Sequence, residues 1–332
     1  MMNGNKKIFL SILLVLCIAL AIAVAFFVGD KIVDQKNSAL GADDEATSGI
    51  AGAIYIDDEL YLPRLEVRNY LIMGIDKSAE SEGNTVGQVD FLLILSFNSN
   101  TKEYTMIPIN RDTMVEVNKL DILGNEKVLY EQIALSHHVV GSEGLTNKEK
   151  CANTINAASK IFHGMQFDGY MSMTMDAVDI LVDRFGGVDV YVEEDYTSVD
   201  PRLVGGTTVT MDGELAMKFV RMRGGLEDSS NIARMKRQEA FLKAFFAKMG
   251  EAQSSDEDII ATYSEIEKYV YNSSGMNGYE EIFWKLKNYE EGESVTLRGE
   301  AKVGRGGFME FYIDDSHVEE VIANVFYKKA GQ

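Results

Sequence analysis

Two aspartates and a group of arginines are the residues in this chain whose types and spacing suit phosphate chemistry. Asp76 closes the apolar run "NYLIMGID", and Asp90 opens the next one, "DFLLILSFN". Carboxylates at strand ends sit on the rim of a sheet, where open α/β sheets bind their ligands. Brought together, two such carboxylates would hold Mg2+, which takes hard oxygen ligands and commonly bridges substrate phosphates. A turn aspartate beside a strand-capping aspartate would give the same pattern. Arg111 follows a third apolar run in "IPINRDT". At a strand end its guanidinium would fork onto a phosphate. In a surface pair with Asp112 it would contribute little.

The other arginines of that group gather in "KFVRMRGGLEDSSNIARMKRQ", Lys218 to Gln238. They run against the composition, since the 332 residues carry a net charge of −20. Asp212 reads as an N-cap, and Leu215, Ala216, Phe219 and Val220 then form one buried stripe. Arg221 and Arg223 fall at the end of that helix, where cations complement the helix dipole. A second helix starts at Asn231, read as its cap. Arg234 and Gln238 are four apart and share a face. Ile232, Met235, Leu242, Phe245, Phe246 and Met249 read as its buried side. The connecting loop would turn both helix ends toward one anion, or the run is a solvated basic face. The residues alone leave both open.

Other chemistries find little support. His137 and His138 have no companion at a recognised metal spacing. The chain has no nucleophile elbow, P-loop or dinucleotide fingerprint. The acidic balance, with a pI near 4.6, excludes general nucleic-acid binding, which relies on basic patches facing phosphates. Cys17 and Cys151 lie in different segments, so no disulfide framework is expected.

The elements that must position these groups are legible from periodicity. Short apolar runs at "NYLIMGID", "DFLLILSFN" and "EYTMIPI" read as buried strands. A helix is expected over 147–163, a strand at "YMSMTM", a helix at "DAVDILVDRFGG" with an aspartate cap, and a strand at "VDVYVEE". This alternation favours an α/β layered domain. Beyond Asp212 helices dominate, at 212–222, 231–249, 255–270 and 277–289. A strand near 293–302 and a helix at 315–328 close the chain.

Before this body comes Ile8 to Val28, 21 residues without a charge. That length spans a hydrocarbon core of roughly 30 Å at about 1.5 Å per residue. Lys6 and Lys7 precede it, which places residues 1–7 in the cytoplasm and the body outside. "ALAIAVA" contains A-x-A patterns that suit a cleaved signal peptide, yet the apolar run is too long for a usual h-region. Residues 29–62 are small, polar and acidic and read as a tether, leaving 63–332 as the functional domain.

Taken in order, "NYLIMGID", "DFLLILSFN", the Arg-Asp-Thr of "NRDT", "LVDRFGGVDVYV", "MDGELAMKFVRMR" and "ARMKRQ" resemble the LytR-CpsA-Psr family of bacterial cell-envelope proteins. The match runs from about Arg68 to Met249. The resemblance implies a three-layer α-β-α domain with a central mixed sheet, anchored by one transmembrane helix in the cell membrane and facing the wall. It implies Mg2+-dependent phosphoryl transfer of a glycopolymer, of teichoic acid or capsule type, from a polyprenyl-pyrophosphate carrier to peptidoglycan. Asp76 and Asp90 match the family's metal-site aspartates. Arg111 matches its motif arginine, and Arg221, Arg223, Arg234 and Gln238 match its phosphate-gripping set. Lys218, Lys236 and Arg237 are left as solvated helix charge.

The chain also departs from the family pattern. Asn110 stands for the usual proline before Arg111, Gln88 for an arginine, and Asn231 for an aspartate. Gln132-Ile133-Ala134 replaces a Lys-Ile-Asn stretch. These losses keep a second function in view, a non-catalytic polyprenyl-phosphate binder or envelope-regulatory protein with a degraded site.

Overall fold

The computed structural model describes residues 52–76, 87–120, 125–138, 145–222, 230–251 and 255–331. The apolar segment Ile8–Val28 and Arg223 lie outside them. No helix among the described residues is long and apolar enough to cross a membrane.

The first described elements fall where a tether is expected. Strands β1 (Ile54–Ile56) and β2 (Glu59–Pro63) form an antiparallel hairpin, turned by Asp57 and Asp58 at positive φ. Ile54 and Ile56 are buried and Tyr55 between them is exposed. Residues 54–63, expected to be tether, are therefore strand. Three alternating residues are too few to reveal a strand by periodicity.

Strands β3 (Val67–Asp76), β4 (Gln88–Asn98) and β5 (Glu103–Pro108) form an antiparallel meander. A second hairpin, β6 (Met114–Leu120) and β7 (Glu126–Gln132), follows Arg111 and was not expected. Val128, Leu129 and Tyr130 of β7 are all exposed, so no inward–outward alternation marks it in the sequence. Helix α1 (Asn147–Ile161) starts with a capping box, in which Thr146 Oγ1 accepts from Glu149 N and Glu149 accepts from Thr146 N.

Strand β8 (Gly169–Thr174) returns parallel to β3 and leads directly into α2 (Met175–Arg184), whose N-cap is Thr174 and not an aspartate. Strands β9 (Val188–Val192) and β10 (Thr207–Met211) pair as a ribbon. Helices α3 (Gly213–Arg221), α4 (Asn231–Glu251) and α5 (Asp256–Ile266) follow. Residues 270–272, expected near a helix end, form strand β11 (Val270–Asn272) on the sheet edge beside β8. After α6 (Met276–Asn288) come β12 (Glu290–Glu291) and the hairpin β13 (Gly299–Val303) with β14 (Met309–Ile313). Helix α7 (Asp315–Val321) passes into a π-helical turn at Ile322–Phe326. The chain then ends in β15 (Tyr327–Lys329), paired with β2, where one helix to residue 328 was expected.

The central sheet is mixed, with order β11-β8-β3-β4-β5-β12. Its strands bury both faces, which is why they read as continuous apolar runs. Tyr70, Ile72, Leu93 and Leu95 pack with Leu181, Phe219, Phe245 and Phe283 from the helical second half. Leu71, Met73, Leu92 and Ile94 pack on the other side with Ala157, Ile161, Val318 and Ile322. Helices thus cover both faces, giving three layers.

Candidate active site

The site forms where β3 and β4 end together. Gly74 pairs with Phe91, but the register then shifts so that Ile75 pairs with Val89 and Asp76 with Gln88. Asp90 is the extra residue of this bulge, a device that bends a strand and re-aims a side chain. Glycine is required opposite it: a Cβ on Gly74 would stand 2.9 Å from the Phe91 Cβ. Asp76, Gln88 and Asp90 consequently line one polar cavity of about 330 Å3 together with Arg111, Arg221, Arg234 and Gln238.

Arg111 leaves the strand after β5 and forks between two neighbours. Its Nη1 donates to Asp90 Oδ1, and its Nη2 donates to Gln88 Oε1 at 2.7 Å. It also approaches Asp112 at 3.6 Å, but Asp112 is buried, so this contact is not the surface pair foreseen for it. Asn110 turns the chain here by accepting from the Asp112 amide at 2.9 Å.

Helices α3 and α4 supply the other cations. Asp212 caps α3 as expected, accepting from Leu215 N at 2.8 Å. Arg221 sits at its last turn, 48% exposed, and pairs with Asp76 at 3.1 Å. Arg234, only 3% exposed, lies 3.6 Å from the other oxygen of Asp90. Asn231 does not cap α4. Ser230 Oγ accepts from Ala233 N at 3.1 Å, a cap-type bond that frees the Asn231 side chain. Asn231 Oδ1 accepts from Arg234, and its Nδ2 donates to Asn110 Oδ1, both at 2.5 Å.

Two further expectations change. Ile232, placed on the buried side of α4, is 47% exposed. Arg237, read as solvated, is 4% exposed. Its Nη2 donates to Met222 O at 2.7 Å, and its guanidinium lies 5.3 Å from the Tyr196 ring centre. Gln238 Nε2 donates to Val220 O at 3.3 Å. Side chains of α4 therefore satisfy carbonyls that the C-terminus of α3 leaves without helical partners. Lys218 does stay at the surface, paired with Asp200 and Glu214. Burial raises the Tyr196 hydroxyl pKa, while Arg237 opposes that rise.

An apolar cavity of about 120 Å3 adjoins the polar one. It lies between the sheet and α2, α4 and α6, lined by residues such as Leu95, Met173, Leu181, Phe241, Phe245 and Leu286. Met175, Val220 and Gln238 line both cavities. None of the sequence motifs marked Met175 or Val220 as site residues, because both look like ordinary core positions.

The donor set suits a hard cation. Among the described residues no group of three or more His, Cys, Asp or Glu forms a metal cluster. Mg2+ rarely needs one, since it uses one or two carboxylates and takes its other ligands from phosphate and water. Asp76 and Asp90 on one cavity wall meet that requirement.

The LytR_cpsA_psr family model matches residues 44–325. The chain belongs to this family. It is similar to a Bacillus mycoides protein named polyisoprenyl-teichoic acid–peptidoglycan teichoic acid transferase TagU, with 22% identity over 78% of each chain. Among solved structures, that of B. subtilis TagV superposes with a TM-score of 0.60 at 20% identity, covering 79% of this chain and 96% of that one. TagT bound to LIIa-WTA gives 0.57 at 20% identity, covering 79% and 90%. For the LytR_cpsA_psr member described here, these structural matches establish the shared fold.

Proposed function

We propose that this protein transfers a glycopolymer of teichoic acid or capsule type from a polyprenyl-pyrophosphate carrier to peptidoglycan at the outer face of the cell membrane. The observation that carries this reading is the polar, arginine-lined cavity sharing the wall of Met175, Val220 and Gln238 with an apolar one. A pyrophosphate joined to a long apolar tail needs those two environments side by side. The TagU relatives, named as teichoic acid–peptidoglycan transferases, and the TagT complex favour the same chemistry.

Phosphoryl transfer depends more on positioning and charge neutralisation than on covalent work by the protein. Arg111, Arg221 and Arg234, with Gln238, would hold the pyrophosphate oxygens, and Arg223 would join them from the adjoining segment. Each described arginine is already set by a carboxylate, so the phosphate replaces a standing partner with little reorganisation. Mg2+ held by Asp76 and Asp90 would supply charge neutralisation at the phosphate oxygens. The acceptor sugar hydroxyl attacks the phosphorus that bears the polymer. Its proton passes to Asp76 or Asp90, the bond to the lipid-side phosphate oxygen breaks, and the lipid monophosphate leaves.

The test is turnover of a polyprenyl-pyrophosphate glycan with a peptidoglycan acceptor, using the full chain in detergent. We expect Mg2+-dependent product, lost by about 100-fold or more in Arg111→Ala. Leu242→Trp, which fills the apolar cavity wall, should weaken long-chain prenyl pyrophosphate by about tenfold and leave inorganic pyrophosphate binding unchanged. Prenyl-pyrophosphate binding with no turnover under any divalent cation would instead establish the non-catalytic binder, the reading favoured by neutral Gln88 and Asn231.

A further inference from the structure

A second polar cavity, also about 330 Å3, opens on the opposite side of the same strand ends. Period-two alternation divides the walls: Asp76 and Gln88 face the first cavity, while Ile75 and Gly87 face this one. Its remaining lining includes His137, Lys150, Ser172, Thr174, Asp176 and Lys268. The transfer reaction described above uses none of them.

The charge here inverts that of the molecule. Lys150 and Lys268 bring two positive charges against the single carboxylate of Asp176, on a chain of net charge −20. Neither lysine is ion-paired among the described residues, and Lys268 lies over the Tyr269 ring with its Nζ 4.6 Å from the centre. His137 is 6% exposed, and its Nδ1 stands 3.1 Å from Gly87 O. A carbonyl oxygen only accepts, so Nδ1 carries the proton and the ring is fixed against the wall. The Thr174 hydroxyl is buried without a hydrogen-bond partner, although Thr174 is the N-cap of α2. Two cations without an ion-pair partner and an unused hydroxyl donor around one cavity are the complement of an oxyanion.

We propose that this cavity is a second oxyanion site, taking a carboxylate or phosphate borne on a sugar or polyol between Lys150 and Lys268. The saccharide part of this assignment rests on the transfer reading given above. A carboxylate would come from the acceptor glycan, and a phosphate from the polymer being transferred.

Calorimetry on the full chain in detergent, with N-acetylmuramic acid and glycerol 3-phosphate as probes, tests this. Wild type should bind at least one of them, and Lys150→Gln/Lys268→Gln should lose about tenfold or more in that affinity. The probe that loses affinity identifies the source. Inorganic pyrophosphate, bound in the first cavity, should bind wild type and the double variant alike, which also reports that the variant folds. The exposed single variant Lys268→Gln provides a milder version of the same readout. Unchanged affinity for both probes in the double variant, or no binding of either to wild type, overturns the proposal. Probe binding that depends on the lysines in a protein without transferase turnover would sink the transfer reading and leave this site standing.

Discussion

Asn231 occupies a position where a carboxylate would add charge beside Arg234, yet its amide performs two tasks a carboxylate could not combine. It accepts from Arg234 and donates to Asn110. Replacing it by leucine would take one hydrogen bond from each partner in a half-buried setting, a cost of about 1–3 kcal/mol for the two. We expect Asn231→Leu to lower turnover by about 10- to 100-fold. Asn231→Asp keeps the acceptor for Arg234 and should change turnover by less than about tenfold. Initial rates under saturating carrier lipid decide between these outcomes, and a larger loss in the aspartate variant would show that donation to Asn110 matters most. Gln88 is explained in the same way: it has no charge, but its carbonyl holds Arg111 in place.

Between elements, the decisive contact is the lock of α4 on α3. Arg237 and Gln238 reach the Met222 and Val220 carbonyls, and so fix the turn from which Arg221 projects. Arg237→Ala should cost about 1–3 kcal/mol of stability, read as a lower denaturant midpoint, because a buried carbonyl loses its donor. It should also raise KM more than it lowers kcat, since Arg221 loses its support but not its charge. A separate prediction concerns α1. The backbone amide and hydroxyl of Thr146 hold the Glu149 carboxyl below the usual carboxylate range. A lowered native pKa means the stabilisation is complete above the unfolded value and is lost as pH falls through the folded one. Protection of the first-turn amides of α1, with each exchange rate taken relative to its intrinsic rate at the same pH, should therefore fall on acidification in wild type. In Glu149→Gln it should be nearly insensitive to pH across that range.

At the scale of the whole body, β15 closes the chain by pairing with β2, and Phe326 just before it meets Phe162 edge to face at 5.7 Å. Phe326 is fully buried, so Phe326→Ala should cost about 3–5 kcal/mol, visible as a lower Tm. Pyrophosphate affinity below the transition should stay unchanged, because the aromatic pair lies in the core layer facing away from α3 and α4.

The sequence by itself determined the layered α/β plan, since strands buried on both faces and amphipathic helices each leave a periodic record. It also singled out Asp76, Asp90, Arg111 and Arg221 at or beside element ends, with Arg234 and Gln238 on one helix face, and the structure brings those six to one cavity. Short or exposed strands left no such record: β1, β2 and the β6–β7 hairpin became visible only through their pairing partners. Tertiary structure alone decided that Arg237 is buried, that Ser230 and not Asn231 supplies the cap-type bond at α4, and that Asp90 is the bulged residue. It alone set an apolar cavity against the arginines. The physical reason is common to all four. Burial, strand register and cavities are set by what packs against a residue from distant parts of the chain, and local periodicity carries no record of that neighbour.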